Sequence, residues 1–117
     1  MLIRTAGIPS ERIAGTETGV FVGSMESEYH RSTSRDPDTA PINTATGTSV
    51  SILANRLSWY FDLKGPSIQL NTACSSSMIA LDLGCQSLRS GQSSMVSISM
   101  NFNATIFPSG NVNIRYL

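Results

Sequence analysis

The chain has 117 residues, which is enough for one small domain and too few for two. Its formal net charge at pH 7 is zero, which argues against attraction to nucleic acid or to an anionic membrane surface. Charged residues make up 14% of the chain, against about 25% in ordinary soluble domains. So few charges cannot cover an exposed surface, and the composition indicates an interior piece of a larger domain.

The sequence carries no sign of export or of membrane insertion. No apolar run approaches the roughly 18 residues of a membrane span, and the start lacks the apolar segment of a signal peptide. Cys74 and Cys85 are the two cysteines. On one helix they would lie about 16 Å apart, beyond the roughly 7 Å that a disulfide allows. A reduced, cytoplasmic protein is the simplest interpretation.

Two elements are predicted in the first half of the chain. Thr18–Gly23 is a short apolar run that does not alternate, which predicts a strand buried on both faces. Residues 48–61 predict a helix, with Thr46 or Thr48 as its N-cap. The apolar positions of this helix recur at helical spacing on one face: Val50, Leu53, Ala54, Leu57 and Phe61.

A strand, a sharp turn and a helix form the centre of the chain. Ser67–Leu70 predicts the strand, residues 71–74 the turn, and residues 75–90 a helix. This helix is apolar on nearly every side, which is typical of a buried helix. Residues 95–102 alternate between apolar and polar side chains as a strand does. Strand, helix and strand in this order favour a parallel α/β sheet.

Cys74 lies in the turn that opens this helix. Backbone N–H groups are unpaired at a helix N-terminus and the helix dipole is positive there, and both effects stabilise a thiolate. The three serines that follow are small and would let a substrate approach. The alternative is a buried, inert cysteine, which is how we interpret Cys85 because it lies in mid-helix on an apolar face. We therefore interpret Cys74 as a nucleophile.

The sequence does not supply the other groups of a self-sufficient site. His30 is the single histidine, and its polar surroundings indicate a solvated surface residue rather than the base of a cysteine hydrolase. One histidine and two distant cysteines do not make a metal site. The glycines match neither G-x-x-x-x-G-K-[ST] nor G-x-G-x-x-G, so nucleotide binding has no support.

Three segments resemble β-ketoacyl synthase (ketosynthase) domains of polyketide synthases, most of all the fungal, highly reducing type. The run GPSIQLNTACSSS, residues 65–77, resembles the active-site segment of these domains. Thr18–Gly23 and residues 45–62 resemble two further segments in the same order. We assign residues 1–101 to a partial ketosynthase N-terminal domain and residues 102–117 to a divergent tail without family likeness.

This resemblance implies the N-terminal half of a thiolase-like α/β fold, with a mixed sheet and a buried active-site helix. It implies that Cys74 is the catalytic nucleophile of an acyltransferase and that its backbone N–H contributes to the oxyanion hole. An acyl chain would arrive on the phosphopantetheine arm of an acyl carrier protein, and no cofactor would be bound directly. A malonyl-type extender on the carrier would lose carbon dioxide, and its enolate would attack the acyl group. The family's dimers pair near the strand before the cysteine, here Ser67–Leu70.

Two departures from the family pattern bear on activity. Asn71 stands where family members usually carry Asp, and the two histidines that serve decarboxylation in the family would lie beyond Leu117. We therefore expect acyl capture on Cys74 without condensation by these residues, and poor solubility of a half-covered sheet. The alternative is a non-catalytic remnant that binds acyl groups or pairs with another ketosynthase. A truncated gene model, a partial sequence and a degenerate protein all fit this pattern.

Overall fold

A computed structural model of the chain describes residues 9–25, 31–32, 35, 38, 42–100 and 103–108. The strands in these residues are β1 (Thr18–Gly23), β2 (Ser67–Leu70), β3 (Met95–Met100) and β4 (Asn103–Pro108). The helices whose bounds are described are α1 (Thr44–Thr48), α2 (Ile52–Tyr60) and α3 (Ser76–Arg89). One 3-10 turn, Ser10–Arg12, precedes β1.

The strands form one sheet in the order β2-β1-β3-β4. The central strand β1 pairs in parallel with β2, where Val20 lies opposite Ser67, and in parallel with β3, where Thr18 lies opposite Met95. β4 is antiparallel to β3. The predicted parallel α/β arrangement is therefore confirmed, and β4 makes the sheet mixed.

Strand β1 is buried along its whole length. Successive side chains of a strand point to opposite faces of a sheet, and both faces of β1 are covered by a helix. Val20 and Val22 pack with Ala54 of α2, whereas Phe21 packs in a separate cluster with Ala80 of α3. This double burial explains why the run is apolar without alternation, and it confirms the strand predicted there.

Helix α3 lies against β1 and β3 through small residues. A Cβ atom at Gly84 would lie 2.9 Å from the Cδ1 atom of Ile98, so glycine permits the close approach of helix and sheet. Ala80 is fully buried on the same face of the helix. On the other side of α3, Met78 is 60% and Ile79 is 41% exposed. No element among the described residues lies over that side.

The helix predicted at residues 48–61 corresponds to α2, which starts later, at Ile52, and a separate short helix, α1, precedes it. α1 ends at Thr48, whose hydroxyl donates a hydrogen bond to the Thr44 carbonyl at 2.5 Å, and α2 begins after Ser51 as its N-cap. The prediction of Thr46 or Thr48 as the cap was therefore wrong. The hydroxyls of Ser49 and Ser51, between the two helices, are hydrogen-bonded to each other at 2.7 Å, and serine disfavours a helix because it hydrogen-bonds locally in other conformations.

The predicted apolar face of α2 is only partly buried. Ala54 is fully buried against the sheet, but Leu53 is 45% and Leu57 is 38% exposed. Helical spacing therefore predicted the helix correctly. It did not predict how much of the apolar face is buried by the described residues. Of the described helices, none is both long enough and apolar enough to cross a lipid bilayer.

Strand β4 lies in the segment where no element was predicted. β3 ends at Met100, whereas the sequence pattern predicted a strand to residue 102. β4 follows and pairs with β3 along its whole length, from Met95 opposite Pro108 to Met100 opposite Asn103. Thr, Ile and Phe in β4 are residue types that favour strands. The expectation that this tail lacks family likeness was therefore no guide to its secondary structure.

Candidate active site

Cys74 lies between the end of β2 at Leu70 and the start of α3 at Ser76. Ser75 is the N-cap of α3, so the thiol is next to the N-terminus of a helix of 14 residues. The cysteine is exposed, and its thiol is free. The strand, turn and helix predicted around Cys74 are thus confirmed. Its role as a nucleophile stays a prediction.

The residue before the cysteine has an unusual backbone conformation. Ala73 has a φ of 55°, in the left-handed region that costs a residue with a Cβ atom about 1 kcal/mol or more. The Ala73 N–H donates to the Oδ1 atom of Asn71 at 3.2 Å. Asn side chains commonly accept this bond two residues along the chain. Asn71 thus holds one side of the strained residue, which the sequence interpretation did not recognise.

Ser76 holds the other side of the turn. Its hydroxyl accepts the Thr72 N–H at 2.8 Å and donates to the Ala73 carbonyl at 2.7 Å, and the residue is only 4% exposed. Ser75 is exposed and donates to the Thr72 carbonyl at 2.7 Å. The interpretation of three equivalent small serines was therefore incomplete, because Ser76 is a buried part of the turn.

The backbone N–H of Cys74 donates no hydrogen bond to any backbone or side-chain acceptor among the described residues. Unpaired N–H groups at a helix N-terminus, together with the positive end of the dipole, favour an anion. A substrate oxygen that becomes negative during reaction is such an anion. The site therefore contains an exposed sulfur and a free donor on the same residue.

The first turn of α3 packs very closely against the end of strand β1. A Cβ atom at Gly23, the last residue of β1, would lie 2.6 Å from the Ser76 carbonyl oxygen and 2.9 Å from the Ser77 nitrogen. Next to it, the Ser24 N–H donates to the Leu70 carbonyl at 3.1 Å. Glycine at position 23 therefore allows the backbone of the first helical turn to lie directly on the edge of the sheet.

Cys85 has the opposite surroundings to Cys74. Its side chain is 1% exposed in α3. Burial raises the pKa of the Cys85 thiol; the positive charge of Arg89 acts against this shift and the negative charge of Asp82 adds to it. A raised pKa and lack of access both oppose reaction of a thiol, and the structural interpretation of Cys85 is consistent with this burial.

The raised pKa of Cys85 predicts a loss of stability at alkaline pH. Below the ordinary value of 9.0 the thiol is protonated in both states, whereas above it the unfolded chain loses the proton first. The free energy of unfolding should therefore fall as the pH rises from 8 through 9 and beyond. Urea titrations of the chain and of Cys85→Ala at each pH measure the effect. An equal decline in both chains would contradict it.

No other candidate residue among those described joins Cys74. His30 lies outside the described residues. Within the parts of the chain that the structure describes, no three His, Cys, Asp or Glu side chains gather as metal ligands. A cavity of about 310 Å³ lies beside the C-terminal half of α3, between Leu83 and Gln86 on the helix and Ile68 on β2. It does not include Cys74, so the cavity and the thiol are separate features.

Comparison with known protein families and structures supports one assignment. Residues 1–102 match the family model described as "Beta-ketoacyl synthase, N-terminal domain". The chain is 56% identical over 87 residues to the highly reducing polyketide synthase dmxL2 of Cryptosporiopsis sp. (strain 8999), covering 74% of this chain and 4% of that protein. It is 44% identical over 118 residues to the highly reducing polyketide synthase azaB of Aspergillus niger (strain ATCC 1015), covering 98% of this chain and 5% of that one.

Solved ketosynthase structures have the same arrangement of elements. The oxazolomycin ketosynthase domain OzmH KS7 of Streptomyces albus JA3453 superposes with a TM-score of 0.67 at 34% identity, over 82% of this chain and 16% of that one. The ketosynthase from module 6 of the bacillaene synthase of Bacillus subtilis 168 superposes with a TM-score of 0.64 at 30% identity, over 84% and 16%. The chain thus spans a small part of each of these relatives.

The family match extends over most of the chain, and the solved relatives share its fold. The mixed sheet and helix α3 are part of the thiolase-like fold of ketosynthases. The match ends at residue 102, while the alignment with azaB extends further, and the division at residue 101 stays a prediction. The chain belongs to the β-ketoacyl synthase family, as part of its N-terminal domain, and its relatives include fungal highly reducing polyketide synthases.

Proposed function

We propose that this chain supplies the acyl-capturing part of a polyketide synthase ketosynthase, with Cys74 as the residue that is acylated. The observation that carries the proposal is the combination of an exposed thiol and a free backbone N–H on one residue at the N-terminus of α3. A thiol nucleophile and an oxyanion donor are the two groups that acyl transfer to sulfur requires.

The capture step exchanges one thioester for another. The Cys74 thiolate attacks the carbonyl carbon of an acyl thioester, and the carbonyl oxygen becomes an oxyanion beside the Cys74 N–H. The bond from carbon to the departing sulfur then breaks, the carrier thiolate takes up a proton, and the acyl group stays on the Sγ atom of Cys74. The exposure of the thiol suits a substrate that arrives on the phosphopantetheine arm of an acyl carrier protein.

Condensation needs groups beyond this site. In the proposed reaction a malonyl-type thioester loses carbon dioxide, and the resulting enolate attacks the acyl-Cys74 carbonyl, so that Cys74 departs as a thiolate. The family resemblance assigns the stabilisation of that enolate to two histidines, and these 117 residues contain only His30. We therefore expect these residues to accept an acyl group without forming a carbon–carbon bond.

Incubation of the chain with hexanoyl-pantetheine tests the proposal. The expected result is a mass increase of one hexanoyl group, located by peptide mapping on the fragment that contains Cys74 and not on the fragment that contains Cys85. Addition of malonyl-pantetheine should release no condensed product. Equal acylation of the two cysteines, or none at all, would contradict capture at Cys74 and would favour a non-catalytic remnant.

The open edge of the sheet supports pairing with a second copy. β2 is an edge strand among the described residues, and Ile68 on it is 37% exposed. Edge strands of monomers usually carry charged residues or proline that prevent further pairing, and Ser67–Leu70 has neither. We therefore extend the proposal to a homodimer of the complete ketosynthase that pairs near β2.

The cytoplasm stays the expected compartment, since reducing conditions keep an exposed thiol such as Cys74 free.

A further inference from the structure

In the peptide unit between Ala73 and Cys74, the carbonyl is hydrogen-bonded and the N–H is not. A trans peptide unit is planar, with its carbonyl and its N–H pointing in opposite directions, and no peptide bond of the described residues is cis. The Ala73 carbonyl accepts the Ser76 hydroxyl at 2.7 Å and the Ser76 N–H at 3.2 Å. The Cys74 N–H at the opposite side of the same unit has no partner among the described residues.

Holding the carbonyl therefore also fixes the direction of the N–H. The unit follows Ala73, whose φ of 55° is unfavourable for a residue with a Cβ atom. Such a conformation persists only where the surroundings enforce it. Here the Ser76 hydroxyl enforces it from one side and the Asn71 side chain, which accepts the Ala73 N–H, enforces it from the other.

Of the three consecutive serines, Ser76 is the one that can hold this peptide unit in place. It is 4% exposed, and its backbone lies against Gly23 at the edge of the sheet, so the hydroxyl is carried by a fixed part of the fold. Ser75 is exposed and bonds to Thr72 instead. The side chain of Ser77 makes no hydrogen bond with any described residue.

We propose that Ser76 is a positioning residue for acyl transfer: its hydroxyl holds the Ala73–Cys74 peptide unit so that the Cys74 N–H stays free and directed at the substrate oxyanion. The inference rests on the proposed function, since it assigns a purpose to the Cys74 N–H in that reaction. Loss of the hydroxyl would let Ala73 relax to negative φ and rotate the donor away, while the thiol would remain in place to react.

Two reactions of the same thiol separate positioning from general damage. Acyl transfer from hexanoyl-pantetheine forms an oxyanion, whereas alkylation by iodoacetamide displaces iodide and forms none. Ser76→Ala is expected to slow acyl transfer by about 10-fold to 100-fold and to change the alkylation rate of Cys74 by less than about 3-fold. Ser77→Ala is the matched control and is expected to change neither rate.

Asn71→Ala provides a second route to the same peptide unit. Asn71 is exposed, so its replacement does not disturb the core, and it is expected to lower the ratio of acyl transfer to alkylation in the same direction as Ser76→Ala. If Ser76→Ala does not fold, the ratio in Asn71→Ala decides. An unchanged ratio, or equal slowing of the two reactions, overturns the role of Ser76. Failure of the unaltered chain to accept the acyl group overturns the proposed function and this inference together.

Discussion

Replacing Cys74 with alanine is expected to abolish acyl transfer from hexanoyl-pantetheine, with a loss of at least about 1000-fold. The sulfur is the atom that forms the new bond, and the hydroxyls of Ser75 and Ser76 already donate to backbone carbonyls. Because Cys74 is exposed, the free energy of unfolding should change by no more than about 0.5 kcal/mol. Mass spectrometry and urea titration measure the two quantities.

Cys85→Ala is the matched control for that experiment. It removes the other thiol of the chain from a buried position, so it should lower the free energy of unfolding by about 1 kcal/mol through lost packing. Acyl transfer should nevertheless continue at the rate of the unaltered chain under conditions where both are folded. Transfer that survives in Cys74→Ala and disappears in Cys85→Ala would reverse the assignment of the two cysteines.

The strands and the helix nearest to Cys74 were predictable because their apolar sequence patterns each fit only one kind of element. The apolar, non-alternating run of β1 requires burial on two faces, and the structure covers it with α2 and α3. The turn at Cys74 and the start of α3 followed from a strand and an apolar helix separated by a few small residues. Hydrophobic burial determines these features, and it depends on residue types that are visible in the sequence.

The hydrogen bonds of the turn were not predictable in the same way. Ser75, Ser76 and Ser77 are chemically identical, yet only Ser76 is buried and bonded to both Thr72 and Ala73. Which serine takes this place depends on the φ of Ala73 and on the approach of the sheet edge, which no local pattern reveals. The bond to Asn71 had a recognisable signal, because asparagine before a turn commonly accepts an N–H two residues later.

Several large apolar side chains are exposed to solvent, as expected if these residues are part of a longer ketosynthase. Trp59 is 84%, Tyr60 is 75% and Met78 is 60% exposed, while charged residues are 14% of the chain. Solved ketosynthases are several times longer than the part that superposes, which is 16% of each compared chain. Apolar surface of this kind favours association, and poor solubility of these residues by themselves stays the expected behaviour.

Gly23→Ala is expected to lower the free energy of unfolding by about 3 kcal/mol and to slow acyl transfer at the same time. The added methyl group would lie 2.6 Å from the Ser76 carbonyl oxygen and 2.7 Å from its carbon. These are backbone atoms of the first turn of α3, so relief of the clash requires the helix start to move from the sheet edge. Movement of Ser76 also releases the Ala73 carbonyl that it holds.

Gly47→Ala is the control that separates this clash from the general effect of adding a methyl group to glycine. Beyond its chain neighbours and its own helix, no atom of the described residues lies within 4 Å of a Cβ placed at Gly47 in α1, and alanine favours a helix over glycine by about 1 kcal/mol. Gly47→Ala should therefore keep or raise the free energy of unfolding and leave acyl transfer unchanged. If Gly23→Ala behaved like Gly47→Ala in urea titration and in acyl transfer, the close approach of β1 to the start of α3 would not be what positions Cys74.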